Sequence, residues 1–296
     1  MITIRELSMK VIVTGASGLL GADIVKSFER AGHQVTGLMG RKVLDVTNAG
    51  AVRSFILDTS PDLVVHSAGF RMVDAAEKDP TDTYAINTLS SKNMALGCQC
   101  LNIPIIYISS DSVFDGESQH PYSEFDRTNP VNVYGYSKLL AEAEVRTHCR
   151  KHFLIRVPLL FGAFGYPESN YIHMMAQQLK QGVRMEYTTD QLCSPTYTKD
   201  VGDTLVKMAE SEYYGLYHVA NKGEASRYSF YKYCAEKLGL DASLLQPILQ
   251  QEKPARRPKN TLLTGVAFNR TFPELDLRDW HEAIEECIPE LRAAIA

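Results

Sequence analysis

A doubly wound α/β fold built on a parallel sheet is the class this sequence predicts, and three observations predict it. Short β-branched runs alternate with segments whose apolar residues fall at helical spacing, the rhythm of βαβ units. The first run, "KVIVT" (10–14), ends in the glycine-rich turn "GASGLLG" (15–21), which leads directly into a helical segment. The 296 residues, 45% hydrophobic and 22% charged, supply ample core for one large domain or two modest ones.

Residues 10–14 read as a strand buried on both faces. Residues 20–31 carry a helical apolar face, and Gly32 closes that helix. "QVTGL" (34–38) is the second strand and 49–58 a helix. Pro61 introduces the third strand, "DLVVHSAG" (62–69). A long helix over 82–100 precedes the strand "PIIYISSD" (104–111), and a helix over 134–151 precedes "HFLIRVP" (152–158). Beyond Pro158 the rhythm loosens. Helices are expected over 171–181, 201–210, 229–238 and 279–293, a strand at "GLYHVA" (215–220), and a loop over the proline- and charge-rich 246–259. Residues 1–160 are expected to form a nucleotide-binding half, with segments near 190–220 returning to it. Residues 161–296 are mainly a smaller substrate-binding cap. No internal repeat or low-complexity linker is visible.

The net charge near −4 argues against nucleic acid or an anionic membrane as the main partner. It leaves room for a local basic patch holding one phosphate-bearing ligand. Six cysteines form no CxxC pair and have no zinc-ligand spacing to histidine, so no metal is expected and free thiols in a reducing cytoplasm are. No apolar run is long enough to cross a membrane. The opening "MITIRELSMK" has no apolar signal core, and Met9 stands as an alternative start with 1–8 a short extension.

Gly15, Gly18 and Gly21 sit between the first strand and the first helix. Glycine there permits the tight turn, lets backbone approach a pyrophosphate and allows close helix–strand packing. The helix start, through Ser17, Leu19 and Leu20, offers free N–H groups to phosphates. The second strand ends "GLMGRK", with no acid to hold a ribose 2′-hydroxyl. Arg41 and Lys42 follow at once and suit a 2′-phosphate, so NADP(H) is preferred and NAD(H) is the secondary choice. Ordinary solvated surface cations are the plainer reading of the same pair.

"YISSDSVFDG" (107–116) ends a buried strand in Ser109, Ser110, Asp111 and Ser112, at the carboxyl edge where open α/β sheets bind ligands. In "VYGYSK" (133–138), Tyr134 and Lys138 are i and i+4 on a helix and share a face. Tyr136 points about 200° away from Tyr134. A free phenol, with a pKa of about 10, is a poor acid near neutrality, and a nearby ammonium lowers that value.

The GxxGxxG loop with this Ser–Tyr–Lys set resembles the extended branch of the short-chain dehydrogenase/reductase superfamily. The resemblance implies a Rossmann domain. It implies that Ser110 orients a substrate oxygen, Tyr134 gives it a proton, and Lys138 binds the ribose and tunes the tyrosine. It also places Asp45 near the adenine, where the residue reads equally as a helix N-terminal acid. Val46, Ser67, Ala68, Gly69 and Ser109 would complete the cofactor site. The segments "ISSDSVFDG", "NVYGYSKLLAE", "DQLCSPTYTKDVGD", "GLYHVAN" and "ARRPKNTLL" resemble the dTDP-4-dehydrorhamnose reductase family over about 10–291. "VTGASGLLG" and "IRVPLLFG" are also similar to the regulatory β subunit of methionine adenosyltransferase.

By that resemblance Asp111, Ser112, Val113, Phe114, Leu159, Pro195 and Thr196 line the sugar side. Arg256 and Arg257 approach a diphosphate, or belong to a solvated loop. Two positions depart from the reductases, which carry tyrosine where this chain has Ser112 and tryptophan where it has Leu159. The expected function is NADPH-dependent reduction of the 4-keto group of a nucleotide-linked 6-deoxy-4-ketohexose, by a protein free to be a homodimer. The second reading is a non-catalytic NADP(H)-binding regulatory subunit, and the third an epimerase or dehydratase. A dehydratase would be expected to carry a carboxylate pair after the serine, where only Asp111 stands.

Overall fold

In the computed structural model, residues 8–167 and 170–295 are described. Residues 1–7, most of the short extension considered above, lie outside them. The chain opens with β1 (Lys10–Thr14), α1 (Leu19–Arg30), β2 (Gln34–Leu38), α2 (Ala49–Thr59) and β3 (Leu63–His66). Helices α3 (Val73–Lys78), α4 (Pro80–Tyr84) and α5 (Ser90–Leu101) lead to β4 (Ile105–Ser110), and α6 (Val133–His148) leads to β5 (His152–Val157). Next come β6 (Leu160–Phe161), α7 (Tyr171–Lys180), β7 (Met185–Thr188), β8 (Leu192–Cys193), β9 (Thr196–Tyr197), α8 (Thr198–Ala209) and β10 (Gly215–His218). The chain closes with β11 (Ala225–Ser226), α9 (Arg227–Leu238), β12 (Leu245–Ile248), β13 (Asn260–Thr261), α10 (Val266–Thr271) and α11 (Trp280–Ile295).

Six strands pair in the order β10-β5-β4-β3-β1-β2, every pair parallel. The order reverses beside β1, which creates the crevice where such sheets bind ligands. Alternation along each strand decides which layer a side chain joins. Val11 and Val13 pack with Leu20, Ile24 and Phe28 of α1 and with Val201 and Leu205 of α8. Ile12 faces the other way, with Ile56 of α2, Met94 of α5 and Val145 of α6. Both faces are covered, so the strands read as unbroken apolar runs. Strand β10 adds to the outer edge of this sheet beside β5. A separate core holds Phe161, Met175, Phe230, Trp280 and Ile284, under the small sheets β11-β8-β13, β12-β7 and β6-β9.

Several elements differ from the sequence expectation, among them α8, which starts at Thr198 rather than 201. The single helix expected over 82–100 is interrupted by a π-helical turn at Ala85–Leu89. The loop expected over 246–259 begins as a strand, because β12 pairs in parallel with β7. Pro247 is tolerated there because the sheet has two strands and a free edge for the missing N–H. Helix α9 starts two residues earlier than expected, at Arg227, where Ser226 and Ser229 form a reciprocal capping box. Among the described residues no helix is long and apolar enough to cross a membrane.

Candidate active site

A cavity of about 620 Å³ opens at the carboxyl ends of the central strands. Its inner wall is the glycine turn. Gly15 has φ +68°, and Gly18 N donates to Gly15 O at 2.9 Å. A Cβ on Gly21 would lie 2.0 Å from Gly15 O, so the turn closes onto α1 only with glycine there. No side chain caps the start of α1, which leaves its first N–H groups without a capping partner at the cavity wall. Ser17, Leu19 and Leu20 complete this wall.

Arg41, Asp45 and Val46 line the far end. Arg41 Nε lies 2.9 Å from Asp45 Oδ2, and Asp45 Oδ1 accepts from Thr47 Oγ1 at 2.7 Å. Hydrogen bonds from Thr47 and Arg41 hold the Asp45 carboxyl below its usual range. Lys42 is exposed and does not line the cavity.

Ser67, Ala68 and Gly69 form the middle wall after β3. Thr14 Oγ1 accepts from Ala68 N at 3.1 Å and meets His66 Nδ1 at 2.7 Å. His66 Nε2 reaches Ser90 Oγ at 3.1 Å, and that serine in turn donates to Ile86 O. Burial, with the Lys138 charge beside it, pushes the histidine down to about 3, so it is a neutral spacer. The π-helical turn places Asn87 against the next loop residue. Phe70 N donates to Asn87 Oδ1 at 2.6 Å, and Asn87 Nδ2 donates to Ser137 Oγ at 2.8 Å on α6.

Ser110 comes from β4, and Tyr134 and Lys138 come from α6. Asn132 caps α6 by accepting from Gly135 N at 2.8 Å. A Cβ on Gly135 would fall 2.1 Å from Ser112 O, so glycine lets α6 lie directly on the turn that follows Ser110. Tyr134 is thereby brought beside Ser110. Ser110 Oγ donates to Asp111 Oδ1 at 2.9 Å and accepts from Ser112 N at 3.2 Å. Tyr136 is 49% exposed and takes no part. Burial pushes the Tyr134 phenol up to about 12, opposed by the Ser110 hydroxyl beside it. Burial pushes Lys138 down to about 7, opposed by Glu142. The Lys138 ammonium was expected to lower the tyrosine; here desolvation dominates, and Ser110 and Arg71 are the groups that lower it. Lys138 Nζ donates to Ile108 O at 2.5 Å and lies 4.5 Å from the centre of the Tyr107 ring.

Ser109 lines the cavity, but its hydroxyl donates to Glu142 Oε1 at 2.5 Å, and Glu142 forms a two-pronged buried pair with Arg156. Asp111 and Ser112 line the substrate end, and burial raises the Asp111 carboxyl. Leu159 reaches the same end from the edge of the second core.

Several expected residues are not on the cavity wall. Val113 and Phe114 are fully buried, and Phe114 stacks on Tyr122 at 4.2 Å. Pro195 is buried, and Thr196 bonds to Ser194 O and Asn221 N. Arg256 pairs with Glu117 at 2.9 Å, and Arg257 makes a two-pronged pair with Asp74. In their place the fold brings Arg71, Tyr166, Tyr171 and Arg227 to the substrate end. Sequence reading missed these four because they come from three separate segments without a local motif. Tyr166 and Tyr171 supply rings at the end where Ser112 and Leu159 lack them. Among the described residues no cluster of histidine, cysteine, aspartate and glutamate could hold a metal ion.

Comparison with known proteins agrees with this geometry. The sequence model of the RmlD substrate binding domain matches residues 9–293. The spore coat polysaccharide biosynthesis protein SpsK of Bacillus subtilis (strain 168) is 32% identical over 96% of this chain and 99% of its own length. A dTDP-4-dehydrorhamnose reductase from Clostridium acetobutylicum superposes with a TM-score of 0.90 at 31% identity, over 96% of this chain and all of that one. A second, from Bacillus anthracis in complex with NADP, gives 0.90 at 29% identity over the same shares. With the glycine turn, the Ser110–Tyr134–Lys138 group and a match across nearly its whole length, the chain belongs to the RmlD substrate binding domain family.

Proposed function

We propose that this protein is an NADPH-dependent reductase acting on the 4-keto group of a nucleotide-linked 6-deoxy-4-ketohexose, in deoxysugar biosynthesis in the cytoplasm. The observation that carries the reading is the convergence of Ser110, Tyr134 and Lys138 in one cavity whose inner wall is the glycine turn. Relatives named as dTDP-4-dehydrorhamnose reductases, one of them solved with NADP, support both substrate class and cofactor.

The residues present fit the dinucleotide. The turn around Gly15 and Gly21 has no room for side chains, and the uncapped start of α1 points N–H groups where phosphates would lie. Arg41 stands at the end of β2, where a 2′-phosphate is read. When bound, the nicotinamide would supply the hydride for the ketone carbon. Tyr134 holds the proton for the oxygen. A phenol near 12 stays protonated at neutral pH and remains a stronger acid than the alcohol it forms, so transfer is downhill. Ser110 already accepts from Ser112 N, and turning its own hydrogen from Asp111 to the substrate oxygen orients that oxygen toward Tyr134. Lys138, anchored on Ile108 O, has two further donors for ribose hydroxyls.

The test is NADPH consumption with a panel of dTDP- and UDP-linked 4-keto-6-deoxyhexoses. Turnover with one of them is expected. Tight NADP(H) binding with no turnover on the panel would overturn the reading in favour of a regulatory subunit.

A further inference from the structure

A nucleotide-sugar diphosphate needs cations, and the two arginines expected to meet it are occupied. Arg256 is held by Glu117 on the surface, and both prongs of Arg257 are taken by Asp74. Besides Arg41 at the cofactor end, two other arginines line the cavity. Arg71 follows Phe70 in the loop after β3, and Arg227 is the first residue of α9. Among the described residues neither guanidinium has a hydrogen-bond or ion-pair partner. We propose that Arg71 and Arg227 form the clamp that holds the substrate diphosphate. The proposal rests on the reductase reading for the identity of the ligand.

Position supports the pairing. Arg71 Cζ lies 5.8 Å from the centre of the Tyr171 ring. Tyr171 is also an electrostatic neighbour of Arg227, as are Cys193, Tyr231 and Asp111. The two cations therefore converge on Tyr171 from different segments, one from the sheet side and one from the second core. Tyr134 feels both Arg71 and Tyr171, which sets the clamp beside the proton donor.

Charge supports it as well. A guanidinium is always ionised and carries five donors in a planar fork that matches phosphate oxygens. Arg227 is half-buried, and a desolvated charge with no hydrogen-bonded partner is costly unless a ligand satisfies it. The one carboxylate among its neighbours, Asp111, is turned to Ser110 and Ser112. A doubly negative diphosphate complements the two free cations and leaves the sugar to reach Ser110 and Tyr134.

The test is binding of dTDP and of thymidine to the NADP-loaded protein, with wild type, Arg227→Gln, Arg71→Gln and Arg256→Gln. Each of the first two substitutions is expected to weaken dTDP by about tenfold or more, the value of a charge-assisted hydrogen bond. Thymidine, which lacks the diphosphate, is expected to bind all four proteins alike. Should Arg227→Gln lower the thermal midpoint, the exposed Arg71 carries the comparison. Unchanged dTDP binding in both variants, an equal loss for thymidine, or a loss confined to Arg256→Gln would overturn the clamp. A wild type that binds neither dTDP nor UDP would overturn it too. The outcomes separate from those of the parent reading. A protein that binds dTDP through these arginines yet reduces no sugar keeps the clamp and loses the reductase. A reductase whose KM ignores both arginines does the reverse.

Discussion

Replacing Gly135 with alanine strikes at how the reactive group is assembled. The new Cβ would lie 2.1 Å from Ser112 O and 3.1 Å from Pro130 Cβ, so it is confined on two sides. A close carbon–oxygen contact is about 3.3 Å, so the first turn of α6 must retreat from the Ser110–Ser112 turn by about 1 Å. Tyr134 is the neighbouring residue on that turn and retreats with it. Misplacing a reacting group by such a distance costs on the order of 100-fold in rate, or about 2.7 kcal/mol. Overpacking removes a further ~1–3 kcal/mol of stability, which lowers the melting temperature by roughly 2–8 °C in a chain of this size. The assay is steady-state reduction of the 4-keto sugar, with NADPH affinity and the melting temperature measured alongside. A kcat about 100-fold lower is expected, with NADPH affinity changed much less. Wild-type kcat and melting temperature in Gly135→Ala would refute the reasoning, because the contact at Ser112 O would then not be what sets Tyr134 on Ser110.

Arg41→Ala is expected to weaken NADPH roughly 10-fold or more while leaving NADH nearly unchanged, since a charge-assisted phosphate contact is lost; equal losses for both cofactors would contradict the 2′-phosphate role. Burial holds Lys138 near 7, so in mildly alkaline buffer much of it is neutral. An anionic dinucleotide favours its charged form, so NADPH binding at about pH 8 should take up a proton. Calorimetry in buffers of different ionisation enthalpy reads this directly, and enthalpies that do not depend on buffer would exclude it. Asp23 is 3% exposed and sits under Thr198, and burial pushes its carboxyl up to about 6 from 3.8. A raised carboxyl is best tolerated protonated: its contribution is neutral below 3.8 and becomes unfavourable as pH rises toward 6. The penalty at pH 7 is about 1–3 kcal/mol. Asp23→Asn should therefore raise the melting temperature at neutral pH and flatten its slope between those values, and a lower melting temperature at neutral pH would contradict this.

What was legible in the sequence followed from local spacing. The strand–glycine turn–helix unit and the Tyr134–Lys138 pair lie within single elements, where backbone geometry fixes direction. The selection of Tyr134 over Tyr136 needed only the helical repeat, and the structure leaves Tyr136 half in solvent. The π-helical turn at Ala85–Leu89 was not legible, because one extra residue in a helix has no composition signal. Nor were the two-residue strands β6, β8, β9, β11 and β13, which exist only through pairing with distant partners. The substrate end shows the same limit. Arg256 and Arg257 looked free in sequence, but the fold supplies Glu117 and Asp74 to them. Arg227 lies in no motif, just before the helix expected over 229–238, and only the tertiary structure turns it into the cavity.

The most direct test of the reductase account is Tyr134→Phe, which removes one hydroxyl and keeps the ring that packs the cavity. A kcat about 10²–10⁴-fold lower is expected, with NADPH affinity close to wild type, if Tyr134 delivers the proton while Lys138 and the glycine turn hold the cofactor. A variant that reduces the 4-keto sugar at the wild-type rate would contradict the assignment of Tyr134 as proton donor and the mechanism built on it.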